Sequence, residues 1–148
     1  MAYEYKHTRM VEFSETDVAG IMHFSNFFRF MEAAEHAFFR SLGFSIHSRD
    51  GEDRVGWPRV HVECAYRLPL YFEDVVEVHL LVREKRRKSL VYTFIIRKVN
   101  EEPAQEVARG SITAVCVQWD PTNGKMGAVP IPSTIADQIQ EAPPELLE

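Results

Sequence analysis

The segment Asp17-Val18-Ala19-Gly20-Ile21-Met22-His23-Phe24-Ser25-Asn26 sets a carboxylate a few residues ahead of an apolar helical run. A glycine between them lets the chain turn closely. The first amides of a helix have no partners within it and lie at its positive end. The stretch from Phe24 to Phe27 is therefore a candidate oxyanion or carbonyl-polarising site. A carboxylate beside such donors can attack an acyl carbon, or take a proton from a water that does. The same spacing suits a turn aspartate bonding its local amides, and the residues alone leave both readings open. A second cluster, Lys85-Arg86-Arg87-Lys88-Ser89, joins two strand-like segments. Its four cations and one hydroxyl suit the phosphates of a nucleotide-bearing ligand. They equally suit a solvated hairpin that keeps a sheet edge soluble. Glu32 and His36, four apart on a helix, imitate a metal pair but lack a third ligand nearby, so no metal is expected.

The elements that must position these groups follow from hydrophobic period. Tyr3 to Phe13 mixes β-branched, aromatic and polar residues and predicts a first strand; Ser14 to Gly20 is turn-like. From Ser25 to Leu42 the pattern is helical. Arg29, Glu32, His36 and Arg40 share one narrow stripe, while Phe27, Phe30, Met31, Ala34, Ala37, Phe38 and Leu42 cover most of the remaining circumference. Such a helix is enclosed on most sides, with Ser25 as N-cap and Gly43 as its C′ stop.

After Pro58 the period becomes two. Strands are expected over Val60–Arg67, over the alternating run Val76 to Arg83 (half-buried), over Leu90–Val99, and over Glu106–Trp119, which an Asn123-Gly124 turn follows. Thr134 and Asp137 suggest a capping box for a short terminal helix that Pro143-Pro144 ends. Strands joined by short turns must be antiparallel, and one face of their sheet needs a cover. The only large apolar object is the helix. An α+β fold results, a curved antiparallel sheet of about five strands wrapped around one long central helix.

Bulk properties narrow the function classes. The 148 residues, 45% hydrophobic and 26% charged, fit one globular domain spanning 1–148. A net charge of -5 argues against nucleic acid as the main partner. Met1 to Arg9 is polar, without a signal-peptide core, and no apolar run approaches the roughly 20 residues of a membrane span. Cys64 and Cys116 are too few for a disulfide scaffold and lack metal-ligand spacing, so a reducing, cytoplasmic setting is expected.

The whole chain resembles the 4-hydroxybenzoyl-CoA thioesterase and YbgC-type branch of the hotdog superfamily. That family runs from a strand through Asp-x-x-Gly-(Ile/Val) and an aromatic or histidine pair into a helix opening with aromatics. Val11 to Phe27 follows this pattern, with Asp17, Gly20, Ile21, His23, Phe24 and Phe27 in order. Tyr66-Arg67-Leu68-Pro69 with Asp74 resembles the family's strand junction, and Arg86-Arg87-Lys88-Ser89 a segment that binds CoA phosphates. Trp119-Asp120, Asn123-Gly124-Lys125 and Pro130 resemble its tail. Together these matches, ordered along nearly the full length, are far more specific than any one of them.

The resemblance implies hydrolysis of an acyl-CoA thioester without metal or redox cofactor, coenzyme A being part of the substrate. It implies Asp17 as nucleophile or general base and the Phe24 N–H as the group polarising the carbonyl. It also implies Arg86, Arg87, Lys88 and Ser89 as CoA contacts, and sites shared across a homodimer or homotetramer. Some relatives carry an aromatic and then a histidine where this chain has His23 and then Phe24. His23 thus stays open between a catalytic role and a polar edge at the helix start. The rival reading is a protein of the same fold that binds acyl-CoA without hydrolysing it.

Overall fold

In the computed structural model, which describes residues 1–47 and 54–148, the period-two segments form β1 (Glu4–Met10), β2 (Arg59–Tyr66), β3 (Val75–Lys85), β4 (Ser89–Lys98) and β5 (Gln105–Val115). They build a five-stranded sheet in the order β1-β3-β4-β5-β2, antiparallel throughout. Alternation decides its faces. Val76, Val78, Leu80 and Val82 of β3 share the inner face with Leu90, Tyr92, Phe94 and Ile96 of β4, all buried. Register shifts within the β3–β4, β4–β5 and β2–β5 pairings bend the sheet.

Into that concave face packs α1 (Asn26–Ser41), the long helix. Phe27, Phe30, Met31, Ala34, Ala37, Phe38 and Phe39 are buried, while Arg29, Glu32 and Arg40 stay exposed and His36 is half-buried. Both ends are fixed locally. At the C-terminus Gly43 adopts φ +88°, and the amides of Gly43 and Phe44 return to the carbonyls of Arg40 and Phe39, the Schellman geometry that glycine makes cheap. The N-terminus departs from expectation. Ser25 occupies the N-cap position but makes no side-chain cap bond, because its hydroxyl bonds His23 instead.

Three other elements differ from their expectation. β3 is buried on both faces over much of its length: Leu81 is fully enclosed and His79 is 5% exposed. The cover is the chain's own termini, since Ala142 packs on Leu81 and Ile95 with Tyr3, Leu146 and Leu147 around them. The long final strand breaks at Cys116. Beyond it β6 (Val117–Asp120) pairs with β7 (Lys125–Ala128) across the expected Asn123-Gly124 turn, where Gly124 takes φ +69°. Thr134 and Asp137 form no capping box; the helical turn α2 (Ser133–Ala136) starts after Pro132, and Asp137 ends it.

Candidate active site

Asp17 lies on the loop between β1 and α1, which is tied at several points. The Asp17 amide bonds the Ile21 carbonyl at 2.8 Å, and the Gly20 amide returns to the Asp17 carbonyl at 3.0 Å. Gly20 takes φ +85° to close this turn. Met22 donates to the Leu70 carbonyl at 2.7 Å, fixing the loop to the β2–β3 connection. The Glu15 carbonyl accepts both the His23 amide and the Asn26 side-chain amide, at 2.9 and 2.8 Å, which joins the loop to the first residue of α1. Glu15 is itself held by an ion pair with Arg9 at 2.8 Å.

The carboxylate of Asp17 makes the local bonds of a turn aspartate with one of its two oxygens. Oδ1 accepts the amides of Ala19 at 2.8 Å and Ile21 at 3.4 Å, as in a turn aspartate. Oδ2 has no partner among the described residues. One oxygen anchors the group, and the other stays unengaged by those residues.

The helix start is equally selective. Asn26 donates to the carbonyl of His23, Phe27 to that of Phe24, and Phe28 to that of Ser25, while the Ser25 amide lies 3.3 Å from His23 Nδ1. Among the described residues only the Phe24 N–H of this run lacks an acceptor. The broad expectation of a donor site from Phe24 to Phe27 thus narrows to one amide.

Asp17 and Phe24 line one cavity of about 520 Å³, together with Ile21, Met22, Phe27 and Tyr66, and with Arg67, Leu68 and Pro69. Its wall is largely apolar, which strengthens any charge interaction inside it. Tyr66, at the end of β2, donates its hydroxyl to the Phe24 carbonyl at 3.0 Å and sets its ring edge-on to Phe27, centroids 4.9 Å apart. Desolvation, with Cys64 adding to it, pushes the Tyr66 phenol up to about 12. The hydroxyl therefore remains a donor at neutral pH. Sequence reasoning placed Tyr66 in the strand junction but gave it no role, since its partner lies 42 residues away.

His23 is not part of this wall. Its Nδ1 faces the Ser25 hydroxyl at 2.7 Å and its ring stacks on Phe24, centroids 4.6 Å apart. It buttresses the residue whose amide is free. Asp74 of the junction is buried and accepts the Tyr71 amide at 2.8 Å, so it holds the turn before β3.

The basic cluster stands elsewhere. Residues 86–88 connect β3 to β4, whereas the Asp17 loop packs at the other end of β3, where Val11 bonds Asp74. β3 itself is 11 residues long, roughly 33 Å from end to end. Lys85 is tied down by the carbonyls of Ala136 and Ile139, Arg86 pairs with Glu84 at 2.8 Å, and Ser89 is buried. Among the described residues, the side chains of Arg87 and Lys88 have no partner. One chain does not bring this cluster to Asp17.

A buried acid on the central helix escaped the sequence reading. Glu35 is fully enclosed, and Arg59 bonds both its carboxylate oxygens, one at 3.1 Å, while also reaching Glu32 at 3.2 Å. Tyr92 is enclosed beside it; burial, and then the Glu35 charge, push its phenol well above the usual range. The signal was present, for Glu35 lies four residues after Met31 and three before Phe38, within the apolar arc.

The sequence profile of the Thioesterase-like superfamily matches residues 11–148, a span that includes both the Asp17 loop and the basic hairpin. A crystal structure of a hypothetical protein from Aquifex aeolicus superposes with a TM-score of 0.79 at 32% identity, over 92% of this chain and 99% of that one. The structure of a gentisyl-coenzyme A thioesterase superposes with a TM-score of 0.75 at 28% identity, over 88% of this chain and 98% of that one. The 4-hydroxybenzoyl-CoA thioesterase of Pseudomonas sp. (strain CBS-3) is 30% identical over 93 residues, which are 62% of this chain and 66% of that enzyme. In fold and in nearly its whole sequence, then, the chain belongs to the thioesterase-like superfamily of hotdog proteins.

Proposed function

We propose that the protein hydrolyses an acyl-CoA thioester, with Asp17 as nucleophile or general base and the Phe24 N–H polarising the carbonyl. One observation carries this reading: the free Asp17 oxygen and the free Phe24 amide belong to residues lining a single, largely apolar cavity. The amide stabilises negative charge as it develops on the carbonyl oxygen. Water supplies the new acyl oxygen, the carbon–sulfur bond breaks, and the thiol of coenzyme A departs. No metal or redox cofactor is required for these steps. Relatives that act on CoA thioesters support the substrate class.

We further propose an assembly of at least two copies. Among the described residues β2 is a free sheet edge, and it carries the exposed apolar residues Val60 and Val62, an arrangement that proteins usually cover. Two free, widely separated thiols fit a cytoplasmic setting.

Asp17→Asn tests the chemistry. The amide oxygen can still accept from Ala19, so the loop should hold, but asparagine neither attacks a carbonyl nor takes a proton from water. We expect kcat to fall by about two to four orders of magnitude with little change in acyl-CoA affinity. Calorimetry beside single-turnover hydrolysis reads both. Near-normal turnover by the folded variant would overturn the mechanism, and a wild type that binds acyl-CoA but never hydrolyses it would establish the rival, binding-only reading instead.

A further inference from the structure

On the outer face of the sheet, away from α1, runs a second cavity of about 590 Å³ that the thioester reading does not use. Its walls hold three arginines from separate positions: Arg67 after β2, Arg83 of β3 and Arg109 of β5. Thr93 and Ser111, paired across β4 and β5, lie between them, and Glu63 also lines it. Arg83 donates Nε–H to the Thr93 hydroxyl at 2.8 Å, which orients its guanidinium while leaving the two terminal nitrogens without partners among the described residues. Arg67 and Arg109 share one carboxylate, Glu106, at 2.6 and 2.7 Å. The Nε–H of Arg109 is covered and has no acceptor among the described residues, which costs stability. The Ser111 hydroxyl is likewise without a partner among them.

We propose that this trough binds a compact polyanion of the phosphate class. Apart from the Glu63 carboxylate, the charged and hydroxyl side chains lining it are arginines, Thr93 and Ser111, a set that selects an acceptor-rich ligand. The two free terminal nitrogens of Arg83 form a fork that matches phosphate oxygens in pairs. Three arginines against Glu63 and Glu106 leave the trough one positive charge in excess, within a chain of net charge -5. Arg67 lines both this trough and the Asp17 cavity, so the two adjoin at the end of β2. The phosphate can accordingly belong to the tail of the molecule whose thiol end lies at Asp17, or to a separate phosphorylated metabolite. The site stands as a binding site in either case, and its test reads binding rather than turnover.

Inorganic pyrophosphate is titrated into the full-length protein while the backbone amides of Thr93 and Ser111 are followed by NMR. We expect saturable shifts at both, weakened by added salt, lost in Arg83→Gln/Arg109→Gln, and kept in Arg87→Gln/Lys88→Gln. Should the first double variant fail to fold, Arg83→Gln alone is expected to weaken binding at least several-fold. Absence of a saturable shift in wild type overturns the proposal. So does a shift that survives the trough variants and disappears in the hairpin variant. Coenzyme A and pantetheine then separate the two sources. Shifts of the same amides with coenzyme A and not with pantetheine assign the trough to the substrate's tail. Shifts with pyrophosphate alone assign it to a separate ligand.

Discussion

Tyr66 links the two halves of the site at the scale of a single hydroxyl. Its donation to the Phe24 carbonyl fixes the turn that presents the Phe24 amide, and its ring edge braces Phe27. Tyr66→Phe keeps the ring contact and removes only the hydrogen bond. A typical bond of this kind contributes about 0.5–1.5 kcal/mol to stability; if it also positions the Phe24 amide, kcat should fall roughly two- to tenfold in the folded variant while KM changes little. Steady-state kinetics beside a melting curve decides this; lower stability with unchanged kcat would make Tyr66 a strut and nothing more. Asp17 was legible in the sequence because its partners, Ala19 and Ile21, are local. Tyr66, the Glu15–Asn26 tie and the Glu35–Arg59 pair were not, because each depends on residues 11 to 42 positions apart whose meeting is decided by the fold.

At the scale of elements, the helix and the strands were legible to within a residue or so at most ends, since period and turn residues set them locally. β2, expected over 60–67, runs from Arg59 to Tyr66. The half-buried reading of β3 failed for a non-local reason: its outer face looks solvent-exposed until the two termini fold over Leu81 and Ile95. Closeness between elements is also invisible in one sequence. Gly110 on β5 gives no turn signal, yet a Cβ there would stand 2.2 Å from Met31 Cε and 2.9 Å from the Glu63 carbonyl oxygen. The methionine end can yield, but the carbonyl belongs to the backbone of β2 and cannot move without disturbing that edge strand. Gly110→Ala should therefore destabilise by about 1–3 kcal/mol, the usual cost of overpacking. Chemical denaturation that found the variant as stable as wild type would show that β2 tolerates displacement.

For the whole molecule the unresolved geometry lies between Asp17 and the hairpin. If Arg87 and Lys88 hold the phosphates of the substrate, they lie away from the Asp17 of their own chain, because the hairpin and the Asp17 loop sit toward opposite ends of β3. A second copy would then supply them. This gives the proposed assembly a test that measuring mass alone does not. Asp17→Asn removes chemistry from one kind of chain, and Arg87→Gln/Lys88→Gln weakens phosphate binding in the other. In a two-fold assembly with shared sites, a mixed pair holds one site bearing both defects and one site bearing neither. Unfolding and refolding the two variants together should then restore activity at low substrate concentration well above the average of the parents. With sites contained in single chains, every site in the mixture keeps one defect and no recovery occurs. Absence of recovery in verified mixed assemblies would leave Arg87 and Lys88 as the solvated tip of a hairpin.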